Sequence, residues 1–289
     1  MKELKFKICL VGMLYACHLL FCSCEKACVK AYGGSGTAAA PEEVLAAFRS
    51  RYPDAGEIVW SQILPFYMVD FIQYSNRNQA WFDEEGDWMQ CCRDIPVEEL
   101  EEPVLEAFST CSYGDCMIFD AHILERCGME TVYLIGLSGA EGLHLYFSRY
   151  GHLFKARAGQ LHADMPVRLD SKLTDAVERL FHNALILDVW SEAPGIQVGI
   201  LDGMEYKLIA FDDDCRWLSH VWQIDESAVP EAVQNGFEAS IYGHCKVNRY
   251  SMQVNRNGSF YLIYFRYGSS RKIMKLTPDG KILYVLSYG

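Results

Sequence analysis

Residues Trp81–Gln90, WFDEEGDWMQ, read as two short strands joined by an acidic turn with Gly86 at its tip. A similar segment recurs three times: YFSRYGHLFK (Tyr146–Lys155), AFDDDCRWLS (Ala210–Ser219) and KLTPDGKILY (Lys275–Tyr284). Aligned on the turn, the tips fall at Gly86, Gly151, Cys215 and Gly280, at intervals of 65, 64 and 65 residues. So constant a period over most of a chain marks an internal repeat. Glycine suits a tight hairpin because it adopts positive φ at no steric cost. Cys215 departs from that rule, and the third hairpin is expected to use a different turn geometry.

A second element recurs upstream of each tip. Val44 with Phe48, Val104 with Phe108, Val177 with Phe181 and Val233 with Phe237 are i, i+4 pairs, which on a helix share one face. Pro41, Pro103 and Pro230 stand near the expected helix starts, where a missing N–H costs nothing. Helices this short are marginal alone. Burying a Val and a Phe contributes roughly 3–6 kcal/mol to each, provided an apolar surface receives them.

That surface is a sheet. Between each helix and its hairpin lie runs rich in Tyr, Val, Ile and Phe: EIVWSQI and PFYMVDFIQY, CMIFDAHIL and TVYLIGL, ALILDVW and IQVGIL, KVNRYSMQV and SFYLIYF. Each repeat therefore reads as one helix across a four-stranded antiparallel meander. A single helix covers one face and leaves the other for water or a partner.

The run V-x-x-x-F, YPDAGEIVW, a paired strand and AWFDEEGDW resembles the PepSY-like, β-lactamase-inhibitor-like family of exported proteins from Gram-negative bacteria, best over Pro41 to about Arg93. The resemblance implies an α+β fold in which four helix-plus-meander copies pair into two β-lactamase-inhibitor-like domains. It supplies no catalytic residues to carry over. The expected domains are 41–160 and 161–289, with Ala158–Ser171 as the junction.

The N-terminus reads as an export signal. Lys2, Lys5 and Lys7 precede the apolar run Ile8–Phe21, about 14 residues and too short for a membrane span. Cys24 follows in FCSCEKAC, which resembles a bacterial lipoprotein processing box although Phe21 stands where an aliphatic residue is usual. The expectation is a signal peptide over 1–23, lipid attachment at Cys24, and a flexible tether to residue 40 containing GGSG. Simple cleaved secretion is the alternative. The protein would then reside in the periplasm or at the outer membrane, touching the membrane only through its lipid.

Composition excludes other classes. With 51% hydrophobic and 22% charged residues, the 289-residue chain has ample material for a core. A formal charge of -12 without clustered Lys and Arg argues against nucleic acid. Eight cysteines remain after the leader and Cys24; they are either disulfide partners, with Cys111 and Cys116 placed to close locally, or small buried hydrophobes. No CxxC, HExxH, GxSxG or phosphate-binding signature occurs, so no catalytic residue, metal site or cofactor is expected. The acids Asp83–Asp87 and Asp212–Asp214 lack calcium-loop spacing and read as solvated hairpin tips.

Alternation within the hairpins turns Trp81 and Tyr146, together with Met68, onto the sheet face away from the helices. Exposed aromatics there would serve as anchors for a protein or peptide partner. Trp81→Ala and Tyr146→Ala would then spare folding and weaken capture. The function expected is non-enzymatic binding in the cell envelope, extending by fold analogy to inhibition of a peptidase or other enzyme. The alternative is a structural or assembly factor of an envelope complex.

Overall fold

The computed structural model describes residues 40–138, 142–159, 165–192 and 195–288. The export signal, Cys24, Cys28 and the tether before residue 40 lie outside the described residues. The chain forms two compact units, one ending at Leu169 and the other beginning at Asp170.

In the first unit, helix α1 (Glu42–Arg51) is followed by β1 (Gly56–Ile63), β2 (Phe66–Gln73), β3 (Asn76–Phe82) and β4 (Trp88–Ile95). Helix α2 (Glu102–Thr110) then precedes β5 (Ile118–Arg126), β6 (Val132–Leu137), β7 (His144–Ser148) and β8 (Leu153–Arg157). All eight strands join one antiparallel sheet in chain order. The second unit has α3 (Ser171–Leu180), β9 (Leu185–Glu192), β10 (Gly195–Asp202), β11 (Glu205–Asp212) and β12 (Trp217–Ile224). It continues through α4 (Glu231–Glu238), β13 (Val247–Asn255), β14 (Gly258–Tyr267), β15 (Ser270–Leu276) and β16 (Ile282–Tyr288), again as one eight-stranded antiparallel sheet.

Three of the four helices bury their expected pair on the sheet. Val44 and Phe48 meet Val69, Phe71, Ala80 and Phe82, while Val104 and Phe108 meet Ile135, Leu145 and Phe147. Val233 and Phe237 pack similarly against Ile263, Phe265 and Met274. The third helix differs from expectation. Its buried pair is Leu173 and Val177, and Phe181 lies beyond its last residue, half-buried. The expected pair is displaced by one helical turn because Leu173, four residues before Val177, presents the same face.

Positions 129 residues apart hold matching places in the two units: Val44 and Leu173, Phe48 and Val177, Val104 and Val233, Gly86 and Cys215, Gly151 and Gly280. The chain is thus a two-domain repeat.

The four apical turns share one bonding scheme. Asp83, Ser148, Asp212 and Thr277 each bond through N–H to the carbonyl four residues on, and each carbonyl accepts from the tip residue. Their side-chain oxygens also accept from the N–H four residues on, at 2.8, 3.2, 2.9 and 3.2 Å. An acid or hydroxyl at this place is therefore a turn brace, and Asp83, 3% exposed, is buried rather than solvated. Cys215 does not change the turn: its φ of 59° lies in the same left-handed region as Gly86 at 88°, Gly151 at 81° and Gly280 at 83°. The glycines have a further reason. A Cβ at Gly280 would sit 2.0 Å from the Ala232 carbonyl oxygen, and one at Gly151 would sit 2.4 Å from that of Pro103.

Strand β1 borders its sheet and is kinked at its head. The register shifts between Gly56 and Val59, Glu57 takes a φ of 50°, and Ile58 and Val59 stand about half exposed.

Candidate functional site

The face of the first sheet turned away from α1 and α2 carries the unusual chemistry. Trp81 and Tyr146 lie on it, as alternation requires, because the helix-facing set is Phe82, Ala121, Ile135 and Phe147. They are not exposed anchors, however: Trp81 is 2% and Tyr146 4% exposed, and Met68 is half-buried. Both aromatics stand on inner strands, where neighbours close over them. Phe66 packs edge-on against Trp81 at 6.4 Å, with Met89 alongside, and Trp81 Nε1 donates to Gln79 Oε1 at 3.3 Å. Phe154 meets Tyr146 at 6.5 Å, and Lys155 Nζ lies 4.9 Å above the Tyr146 ring. Accessible partner contact through these residues is thereby corrected: they are an interior layer.

On the same face, β4 to β7 bring together four polar residues that the sequence separates by up to 50 positions. Asp94 stands opposite His122, Asp120 opposite Gly136, and Gly136 opposite His144. Asp120 and His122 are two apart on β5 and so share a face. Gly136 is the gap that lets Asp120 and His144 meet over the intervening strand; a Cβ there would lie 1.8 Å from Asp120 Oδ1.

His122 is 5% exposed. Its Nδ1 lies 2.9 Å from Asp94 Oδ1, and its Nε2 lies 3.2 Å from Asp120 Oδ1. His144 Nε2 is 3.7 Å from the same Asp120 oxygen. Burial by itself would lower the His122 pKa, but the carboxylates of Asp120 and Asp94 prevail and push it up to about 9. His122, opposed by burial, in turn holds the Asp120 carboxyl below its ordinary range, with His144 adding to the effect.

Beside this network is a cavity of about 370 Å³ lined by Phe119, Asp120, Gly136, Leu137, Gly142, His144 and Gly159. Phe119 owes its position to a bulge. Ile118 pairs with Leu137 and Asp120 with Gly136, so Phe119 is the unpaired extra residue, 76% exposed. Met117, just before the strand, is 73% exposed.

Sequence reading did not single out this group. The available signal was Asp120-Ala121-His122, two ligand-type side chains at strand spacing. His144 becomes their neighbour only once the register of β5, β6 and β7 is known. The cysteines are simpler. The seven described are free, and Cys111 and Cys116 are not bridged. Cys91 and Cys92 are buried, and burial pushes the Cys91 thiol up to about 11 and Cys92 higher still.

The second unit has the same strands without this chemistry. In matching register, Gln223 faces Ser251, Arg249 faces Tyr264, and Tyr264 faces Ile273. Arg249 lies 3.9 Å above the Tyr264 ring, and Asn248 takes the bulge position of Phe119. The fold therefore forms without the Asp–His set.

The family described as beta-lactamase-inhibitor-like, PepSY-like matches residues 65–155 and 196–283, most of both sheets. The chain belongs to that family. Among solved structures, it is similar to a BLIP-like protein from Bacteroides fragilis, at 24% identity and a TM-score of 0.42, covering 46% of this chain and 97% of that one. DUF2874 family proteins from Bacteroides uniformis and Bacteroides ovatus are also similar. Their identities are 23% and 22%, both have TM-scores of 0.39, and the matches cover 41% and 42% of this chain and 89% and 88% of those. No curated protein matches the PepSY-like chain. Among its described residues no helix is long and apolar enough to cross a membrane.

Proposed function

We propose that this PepSY-like protein is an exported, non-enzymatic binding protein that holds a protein or peptide in the cell envelope. The observation that carries the reading is the pair Met117 and Phe119, both about three-quarters exposed, with Phe119 on the rim of the cavity. Large apolar side chains held out beside a concavity are the usual form of an interface anchor. The bulge that presents Phe119 is a device that re-aims side chains near functional sites. These residues replace Trp81, Tyr146 and Met68 as the proposed contact surface. Inhibition of a peptidase or other enzyme is the specific form that the family's description suggests, and it rests on analogy of fold.

The same reading takes every helix with its four following strands as one copy of a fourfold unit, supported by the common bracing of the four apical turns. Residues 1–23 serve as the export signal in this reading, and Cys24 as the lipid attachment point. A globomycin-sensitive mobility shift that disappears in Cys24→Ala would bear out the anchor.

A photoreactive amino acid placed at Phe119 in intact cells tests the binding role. Met204, 69% exposed in the second unit, is the control position. A discrete adduct from position 119, absent from 204, is the expected result. No adduct from 119, or the same smear from both positions, removes the reading.

A further inference from the structure

We propose that Asp120, His122 and His144 form a binding site for a divalent transition-metal ion of the zinc class, with Asp94 as the residue that orients His122. The proposal does not depend on the partner surface above.

The ligand atoms are placed for it. Asp120, His122 and His144 each offer one ligand atom, and these atoms all lie within 4.8 Å of one another. A four-coordinate ion with bonds of about 2.0–2.1 Å requires ligand atoms about 3.3 Å apart. The two separations from Asp120 Oδ1, 3.2 and 3.7 Å, straddle that edge.

The bonding is also incomplete in the way an ion would remedy. Although His122 Nε2 and Asp120 Oδ1 are buried and close, neither has an aligned hydrogen-bond partner. Buried polar atoms in that condition cost free energy until something satisfies them. The contact of His122 Nδ1 with Asp94 at 2.9 Å leaves Nε2 as the coordinating atom, the carboxylate–histidine arrangement that supports metal ligands from behind.

The donor set selects the ion. Two imidazoles and one carboxylate suit Zn²⁺, Co²⁺ or Ni²⁺, whereas Ca²⁺ takes six or more oxygens and Mg²⁺ prefers oxygen and water. Three protein ligands would leave a fourth position, and Asp120 and His144 themselves line the cavity with Phe119, Leu137 and Gly142. The matching places in the second unit hold Arg249, Ser251 and Ile273, which cannot form such a site. Among the described residues this makes one such site.

The test is titration of the purified, chelator-stripped full chain with Zn²⁺ against a chromogenic chelator, with Co²⁺ as the spectroscopic probe. The expected result is one site per chain and a tetrahedral-type Co²⁺ spectrum lacking the thiolate charge-transfer band. His122→Ala, His144→Gln and Asp120→Asn should each weaken binding at least about 100-fold. Asp94→Asn should weaken it about 10–100-fold, as loss of an outer-shell partner does, and Ser251→Ala should leave it unchanged. Far-ultraviolet circular dichroism checks each variant, and if His122→Ala does not fold, His144→Gln and Asp120→Asn decide the outcome. The proposal falls if binding is no tighter than in those variants, or if a thiolate band shows that the cysteines hold the ion.

Discussion

Asp120 and Gly136 face each other across β5 and β6 so closely that any side chain at 136 would have to displace the carboxylate: a methyl group there would meet Asp120 Oδ1 at 1.8 Å and His144 Cδ2 at 3.2 Å. In an ordinary inner strand, alanine is more stable than glycine because it loses less backbone entropy. Here the sign reverses. Gly136→Ala should destabilise the protein by about 1–3 kcal/mol, the range for an overfilled site, as read from chemical denaturation. A stabilised Gly136→Ala protein would show that Asp120 is not held over that glycine.

Trp81→Ala should behave as a core deletion. With Trp81 2% exposed and packed on Phe66 and Met89, the loss should be about 3–5 kcal/mol. Its measure is the shift in denaturant midpoint at unchanged slope. A midpoint within experimental error of wild type would return Trp81 to the surface.

Lys275 gives a pH dependence. It is 7% exposed, donates to Gln253 Oε1 at 2.8 Å and lies 3.9 Å over the Phe260 ring. Burial lowers its pKa to about 8 from the ordinary value of 10.5. Between those values the unfolded chain keeps a proton that the folded chain has released, so stability rises with pH across that window. The contribution is complete above the unfolded value and is lost as pH falls through about 8. Lys275→Met should therefore be more stable than wild type at pH 7, and the difference should shrink by pH 10. Thermal unfolding of both proteins at the two pH values checks this.

The apical turns predict an asymmetry. Gly280→Ala imposes a Cβ 2.0 Å from the Ala232 carbonyl at a φ of 83° and should cost more than about 2 kcal/mol. Cys215→Gly relieves a left-handed cysteine and should be neutral or stabilising by up to about 1 kcal/mol. Equilibrium unfolding of the two variants gives both values, and equal losses would contradict the assignment of the tips.

The scaffold was legible because its signals are local and periodic. Val44 with Phe48 and Val104 with Phe108 repeat at helical spacing, and Gly86, Gly151 and Gly280 mark left-handed tips that cysteine can also occupy. In the third helix, Leu173 and Val177 satisfy the same spacing as the expected Val177 and Phe181, so periodicity could not choose between them. The site was not legible because Asp94, Asp120, His122 and His144 are neighbours only through register, and register depends on bulges such as Phe119. Alternation identified the face that carries Trp81 and Tyr146. It could not show that Phe66 and Phe154 roof them over.

The break at Glu57 bears on how these molecules behave when crowded. A straight outer strand showing Ile58 and Val59 would offer a ladder of amides and a greasy strip to any neighbour, an open invitation to zip two sheets together. With the ladder interrupted at its first rung, docking edge to edge would leave hydrogen bonds unmade on both molecules. That irregularity makes the head of β1 a poor template for edge-to-edge pairing.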